Sequence, residues 1–558
     1  MSVTVPAATA MAVTWLGIVL GTAGVAQSRP LDPPGAPNAV VAPDLDPSPR
    51  RAGAIAARPV KPLDGPQTQR LLQAQAMRET GRLDAARETL LALLAEAPHQ
   101  PIVLIELARV HMARQQWGLI ERLAVAERSA TRDSVLLGRE LALAYERQSQ
   151  PRKAAQVAVE VWIAMPAEAE WAEATIVRLE ELAPRAGREP LRRAAEARPA
   201  RADLSAAAAR LEWKLGDTAT ALRLLSATDA TGPSTPMRWS FAQELLYAAT
   251  ARDTSGAIEV LISLAADPAR DPAYRLPAAR RAVQVYAHRG SEREGVLRVY
   301  RALADLPPHA WSGDLLVGIV RGMRESGHTA EVRALLERLG DRRTAFAELA
   351  LEGALNELRD GPPARALGVL ERAAIGSPEG VFRYAEALFF AGMPDSAMAL
   401  YRLVSHDPKS PYTAPALERL FLIEDAEPQA ALPALGQMAY ETWRGEAKRA
   451  SALAESLYHG LPRGPLWAHA ALALAGQRDR DGDGPGALVP LLAVSDSLPG
   501  DRLAPVARQR AGDVYRLRLK DDARALAQYE ECLARYPKAW NAPEVRRAVE
   551  TLRRERRF

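Results

Sequence analysis

Residues Val135–Pro166 read VLLGRELALAYERQSQPRKAAQVAVEVWIAMP. Ala142 and Tyr145 stand three apart, on one face of a helix. Ala154 follows Ala142 by twelve residues, Ala158 follows four later, and Pro166 closes the stretch twelve after Ala154. Two helices that lie close together need small side chains where they cross. An aromatic ring fills the gap one turn along. Proline ends the second helix because it has no N–H for the next hydrogen bond. The stretch therefore predicts a helical hairpin with one tight internal contact.

This pattern resembles the tetratricopeptide repeat: small residue, aromatic, turn, small residue, apolar residue, proline. The same spacing returns along the chain. It is seen at Leu276–Pro307 (Val283, Tyr286, Gly295, Val299), Ala347–Pro378 (Ala354, Ala366, Leu370) and Asp501–Pro537 (Gly512, Tyr515, Ala525, Tyr529). Weaker copies fill much of the interval from Gln67. Glu168–Arg201 keeps only Pro199 in place, with helices expected at Trp171–Leu182 and Pro190–Ala197. About twelve units fit by the spacing rule. One hairpin cannot bury its own apolar faces, so such units stack. The fold class expected is all-α: an α-solenoid, or superhelix, of tetratricopeptide-like helical hairpins. RYPKAWNAPEVRRAVETLR, at residues 535–553, reads as a terminal capping helix with a polar outer face.

Composition agrees with a long helical array. The chain has 558 residues, too many for one compact core. Aromatics are scarce at 5%, and no run of alternating β-branched residues stands out. The 72 basic and 68 acidic side chains nearly cancel, and only seven of the basic ones are lysine. Their interspersed signs argue against nucleic-acid binding, which needs charge gathered on one face. The basic group Arg546, Arg547, Arg553, Arg554, Arg556 and Arg557 reads as the solvated side of the last helix. With one cysteine, Cys532, no intrachain disulfide can form. Its place on a helix makes it a packing residue.

Five segments follow. Residues 1–26 carry no charged side chain, hold the apolar run Ala10–Leu20 and end Gly24-Val25-Ala26, the features of a secretory signal peptide. No Lys or Arg precedes the apolar run, and an uncleaved anchor is the other reading. Residues 27–66 form a proline-rich linker, with ten prolines between Ser28 and Pro66, expected to stay extended. Residues 67–408 are the solenoid, 409–464 an irregular helical connector, and 465–558 the last units with their cap. At Asp407–Tyr412 the chain reads DPKSPY. This junction resembles those of bacterial envelope tetratricopeptide proteins, in which such a turn leads into a long helix. With the signal-like start, the expected location is periplasmic or secreted, and no later stretch is apolar enough for stable membrane insertion of the mature chain.

The motifs of chemistry are missing. There is no G-x-x-x-x-G-K-[ST], H-E-x-x-H, G-x-S-x-G or S-x-x-K. No cofactor is expected, and the chain reads as a non-enzyme. His111 occupies an aromatic slot and reads as packing. Asp479-Arg480-Asp481-Gly482-Asp483-Gly484 opens like a calcium loop, but the twelfth position is Pro490 and offers no carboxylate. Asp479, Asp481 and Asp483 are thus a weak metal candidate, and a polar turn between two helices is the competing reading.

The family resemblance implies a concave groove lined by the first helix of each hairpin, where a protein or peptide partner binds. Carried over unit by unit, the groove positions are Arg109, Arg147, Gln284, His288, Glu386 and Phe389. Arginine suits carboxylates by its two-pronged donor geometry. The expected function is an exported, non-catalytic scaffold in the bacterial envelope. The alternatives are an accessory subunit of an envelope enzyme complex, or a cytoplasmic regulator if the leader reading fails.

Overall fold

A computed structural model describes residues 61–248, 250–289, 294–344, 346–424 and 426–555. The expected signal peptide and nearly all of the expected linker lie outside these residues. The described part holds twenty-eight α-helices and no strand. Residues up to Val285 fall in one compact unit and those from Tyr286 in another.

The first unit contains α1 (Gly65–Glu79), α2 (Leu83–Glu96), α3 (Pro101–Ala113), α4 (Trp117–Thr131), α5 (Gly138–Arg147) and α6 (Pro151–Ala164). It continues with α7 (Ala169–Leu182), α8 (Arg188–Ala197), α9 (Ala202–Lys214), α10 (Thr218–Asp229), α11 (Met237–Ala248) and α12 (Ala251–Ala265). The boundary falls within α13 (Pro272–Arg289).

The second unit runs through α14 (Gly295–Ala302), α15 (Gly313–Glu325), α16 (Thr329–Leu339), α17 (Ala347–Asp360), α18 (Pro363–Ala373), α19 (Pro378–Phe390) and α20 (Pro394–Ser405). Then come α21 (Thr413–Glu424), α22 (Leu432–Arg444), α23 (Ala447–Gly460), α24 (Pro465–Arg480) and α25 (Gly484–Ser497). The last three are α26 (Ala504–Leu517), α27 (Asp522–Arg535) and α28 (Ala542–Glu555).

Each unit is an α-solenoid. Helices pack mostly on those one or two along the chain, and the apolar core is a succession of local clusters rather than one centre. The founding hairpin, α5 with α6, behaves as its spacing requires. Ala142, Ala154 and Ala158 are buried, and Tyr145 packs against Ala154, Ala155 and Leu179. The complementarity of small and aromatic residues recurs. A Cβ added at Gly512 would lie 2.5 Å from Tyr529 Cε1, one at Gly295 2.0 Å from Tyr286 Cζ, and one at Gly256 1.8 Å from Trp213 Cη2. The degenerate stretch also forms two helices, α7 and α8, which pack chiefly on α6 and α9 and bury Ile176, Leu191 and Ala194.

Local signals set the helix ends. Asp64 accepts from the Gln67 amide (2.8 Å), and the Gln67 side chain accepts from the Asp64 amide (3.0 Å). This capping box starts α1 at Gly65, two residues inside the segment expected as linker. Turns within several hairpins pass through a left-handed residue. Gly81, Gly216 and Gly482 fill that place, while Gln115, Ser149 and Lys520 adopt it at φ 57, 57 and 54°.

The interval 409–464, expected as an irregular connector, is three regular helices. The helix after the DPKSPY turn, α21, is short rather than long. α22 and α23 pack as a hairpin, and α22 also lies against α19. Gly436 permits that approach: a Cβ there would sit 2.3 Å from the Phe389 carbonyl oxygen.

Candidate partner-binding groove

The first helices of successive hairpins are linked by ion pairs between residues about one repeat apart. In the first unit Arg78 on α1 reaches the buried Glu106 on α3 (3.2 Å), and Arg210 on α9 reaches Glu173 on α7 (2.9 Å). In the second, Arg321 and Arg324 on α15 grip the buried Glu352 on α17 (2.6 and 2.9 Å), and Arg516 on α26 meets Glu555 on α28 (3.0 Å). Burial opposes ionisation of Glu352, but the two guanidiniums outweigh it and hold the carboxyl below its ordinary range. Arg78, Arg210, Arg321, Arg324 and Arg516 are thereby neutralised within the protein.

The six groove residues read from sequence part company here. Arg109 is exposed on α3 and ion-paired to Glu106 of its own helix. Arg147 is exposed in the last turn of α5. Gln284 is half-buried on α13 and accepts from Arg281 (3.4 Å), while His288 is exposed one turn on. Glu386 and Phe389 are corrected: neither lines a groove. Glu386 is buried, accepting from Arg419 Nε and Nη2 (2.7 and 2.9 Å) and from the Tyr401 hydroxyl (2.5 Å). Phe389 is 1% exposed, with the Arg419 guanidinium 5.2 Å from its ring centroid. The cause is the extra helices: α21 brings in Arg419, and α22 closes over the end of α19. No hydrogen bond or ion pair joins any two of the six among the described residues.

The acidic run at 479–483 spans the last residues of α24 and the turn that leads into α25. Asp479 pairs with Arg518 (2.8 Å), and Asp483 caps α25 by accepting from the Gly486 amide (2.8 Å). No grouping of three metal-ligating side chains occurs among the described residues. His111 is buried with Nδ1 3.0 Å from Gln116 Oε1, and burial lowers its pKa. Cys532 is buried, its thiol pushed up to about 11 by that burial.

Open space is found at the last hairpin. Gly512 is the crossing residue of α26, so Asp513, Arg516 and Leu517 emerge one, four and five places on. One cavity of about 390 Å³ opens beside them, closed on the far side by Glu544, Arg547 and Thr551 of α28, with Tyr529 at its base. A second, of about 330 Å³, lies on the α24 side of α26 and is lined by Asp479, Arg510, Asp513, Leu517 and Arg518. Asn541, 1% exposed, pins the start of α28 by donating to the Pro505 carbonyl (3.1 Å) and Gln509 Oε1 (2.8 Å).

The charges there are only partly spent. The Tyr529 hydroxyl donates to Asp513 Oδ1 (2.5 Å). Burial pushes the Asp513 carboxyl up; the Tyr529 bond opposes this and Glu544 adds to it. Arg510 donates to the Leu472 carbonyl (3.2 Å) and has no carboxylate within ion-pair distance. Burial lowers its pKa. Such a surface can grip charged side chains. These residues were within reach of the sequence: the offsets that select Arg109 and Phe389 in their units, applied to Gly512, select Asp513 and Arg516.

Residues 507–539, which include Arg510, Asp513, Arg516, Leu517 and Tyr529, match the family model described as tetratricopeptide repeat. No curated protein matches the chain. Two solved structures align along most of it. The crystal structure of the APC/C hetero-tetramer Cut9–Hcn1 is 13% identical, covering 88% of this chain and 96% of that one, at a TM-score of 0.23. The structure of Naa15/Naa10 bound to HypK-THB is also 13% identical, covering 83% and 68%, at a TM-score of 0.23. At these scores the superpositions carry neither a curvature nor a function over to this chain.

Proposed function

We propose that this chain is a non-catalytic scaffold that binds a protein partner along the inner face of its repeats, as an exported component of the bacterial envelope. One observation carries the reading. At the last repeats, two cavities flank α26, and Arg510, Glu544 and Arg547 on their walls have no ion-pair partner among the described residues. Elsewhere on the inner helices, ion pairs tie many such charges down. Export is supported by the uncharged apolar start and the proline-rich stretch after it. No described helix is long and apolar enough to cross a membrane.

The test is a photo-crosslinking amino acid placed at Leu517, on the groove, and at Val489, exposed on α25 away from it. The reading expects a discrete protein adduct from 517 and none from 489, in cells fractionated into envelope and cytoplasm. Equal labelling from both sites, or none from either, overturns the scaffold. Sequencing the mature amino terminus tests export separately: cleavage after Ala26 supports it, and an intact chain in the cytoplasm removes it.

A further inference from the structure

The turn into α28 holds a tryptophan outward. Trp540 is 53% exposed, although Asn541 and Ala542 beside it are 1% and 2% exposed. Asn541 fixes this turn on α26 through Pro505 and Gln509, and Arg546 Nη2 ties α28 back to the Pro537 carbonyl (3.2 Å). Pro537 and Pro543, on either side of the ring, are exposed as well. The surroundings are cationic. Lys538 is exposed in the same turn, and Arg546, Arg547 and Arg554 are exposed on α28; none of the four has an ion-pair partner among the described residues. Arg553 and Glu555 are spent on Glu530 and Arg516 (2.7 and 3.0 Å). Glu544 and Arg547 both line the cavity beside α26. Outside that cavity, Lys538, Arg546 and Arg554 face only one unpaired carboxylate of α28, Glu550. Arg556 and Arg557 follow in the sequence.

Resting on the reading of an exported protein, we infer that this turn and α28 dock on an anionic phospholipid surface, with Trp540 as the apolar anchor and Lys538, Arg546 and Arg554 facing the headgroups. Charge complementarity sets the sign of the occupant. Arg546 and Arg554 stand about 12 Å apart by the helical rise, with Lys538 beyond the start of the helix. Charges spread in this way are matched together by a plane of phosphates. A tryptophan among them suits the boundary between headgroups and acyl chains, where its ring is apolar and its N–H stays wet. Cations alone or one ring alone hold a protein weakly, and the two together supply a double signal. The contact is peripheral, since no described helix is long and apolar enough to cross a membrane. The compartment favours lipid over nucleic acid as the source of the phosphates, because an exported chain meets headgroups.

The experiment is vesicle co-sedimentation of the chain from Gln27, which keeps every described residue and leaves out the apolar leader. The vesicles are phosphatidylcholine alone, or phosphatidylcholine with roughly one-third phosphatidylglycerol. The anionic vesicles should bind at least tenfold more tightly, and high salt should remove most of that gain. Replacing Arg546→Gln and Arg554→Gln together should weaken binding to them about twentyfold. Trp540→Ala should weaken it about tenfold. The pair Arg338→Gln and Arg372→Gln, exposed on α16 and α18, removes the same charge elsewhere and should change nothing. Circular dichroism confirms that each variant is folded, and the arginine pair serves if Trp540→Ala is not. Equal binding to both vesicles, or equal weakening by the two arginine pairs, overturns the inference. So does a DNA oligonucleotide bound more tightly than the anionic vesicles. Each of these failures leaves the scaffold and its export to their own tests, and an intact leader in cells would remove the export reading without altering the vesicle result.

Discussion

Arg419 on α21 reaches Glu386 on α19 with two hydrogen bonds, 2.7 and 2.9 Å long, in the interior of the second unit. The Tyr401 hydroxyl donates to the same carboxylate. Burial works against ionisation of Glu386, but Arg419 and the hydrogen bonds prevail and hold its pKa below the ordinary value. Glu386→Ala would leave a buried guanidinium unmatched and should destabilise the second unit by about 3–5 kcal/mol. Arg333→Ala, which breaks an exposed pair with Asp360, should cost about 0–1 kcal/mol. Urea denaturation followed by circular dichroism compares the two.

Glu418, beside Arg419, titrates in the opposite sense. Burial pushes its carboxyl up to about 7. A carboxyl raised in the folded state adds stability that is complete below its unfolded pKa of about 4.5 and is lost as pH rises through 7. His469, pushed down to about 4 by burial, acts against this, withdrawing stability as pH falls below about 6.5. Glu418→Gln removes one contribution and keeps the other. Its melting temperature should match that of the parent near pH 4 and exceed it at pH 8.5. A constant difference between the two proteins across that range would refute the assignment.

Gly512 and Gly368 should respond to alanine with opposite signs. At Gly512 the new Cβ would lie 2.5 Å from the Tyr529 ring, forcing α26 and α27 apart. The expected loss is about 1–3 kcal/mol. Gly368 lies inside α18 with nothing within 4 Å of its Cβ position, so alanine there should stabilise by about 0.5–1 kcal/mol. Thermal melts of both variants check the pair.

Ser149 and Lys520 occupy left-handed turn positions that other hairpins give to glycine. Ser149→Gly and Lys520→Gly should each stabilise the local hairpin by about 0.5–1 kcal/mol. Hydrogen exchange of α5–α6 and of α26–α27 reports this directly. The relief should stay close to the substituted unit, because neighbours carry the coupling in a solenoid.

What the amino-acid sequence determined by itself is the hairpin. Tyr145 with Ala154, and Gly512 with Tyr529, meet across a single turn, and the fit of small residue to large is written within about thirty residues. Helix type, hairpin spacing and the buried places of His111 and Cys532 follow from it. Which inner residues remain free was decided only by tertiary structure. Glu386 and Phe389 hold groove positions by spacing, yet α21 and α22 arrive to cover them. The arginines stitch one repeat to the next, from Arg78 to Glu106 and from Arg324 to Glu352. Such pairings depend on how each hairpin leans on its neighbour, and helical periodicity encodes the face of a helix but not that lean.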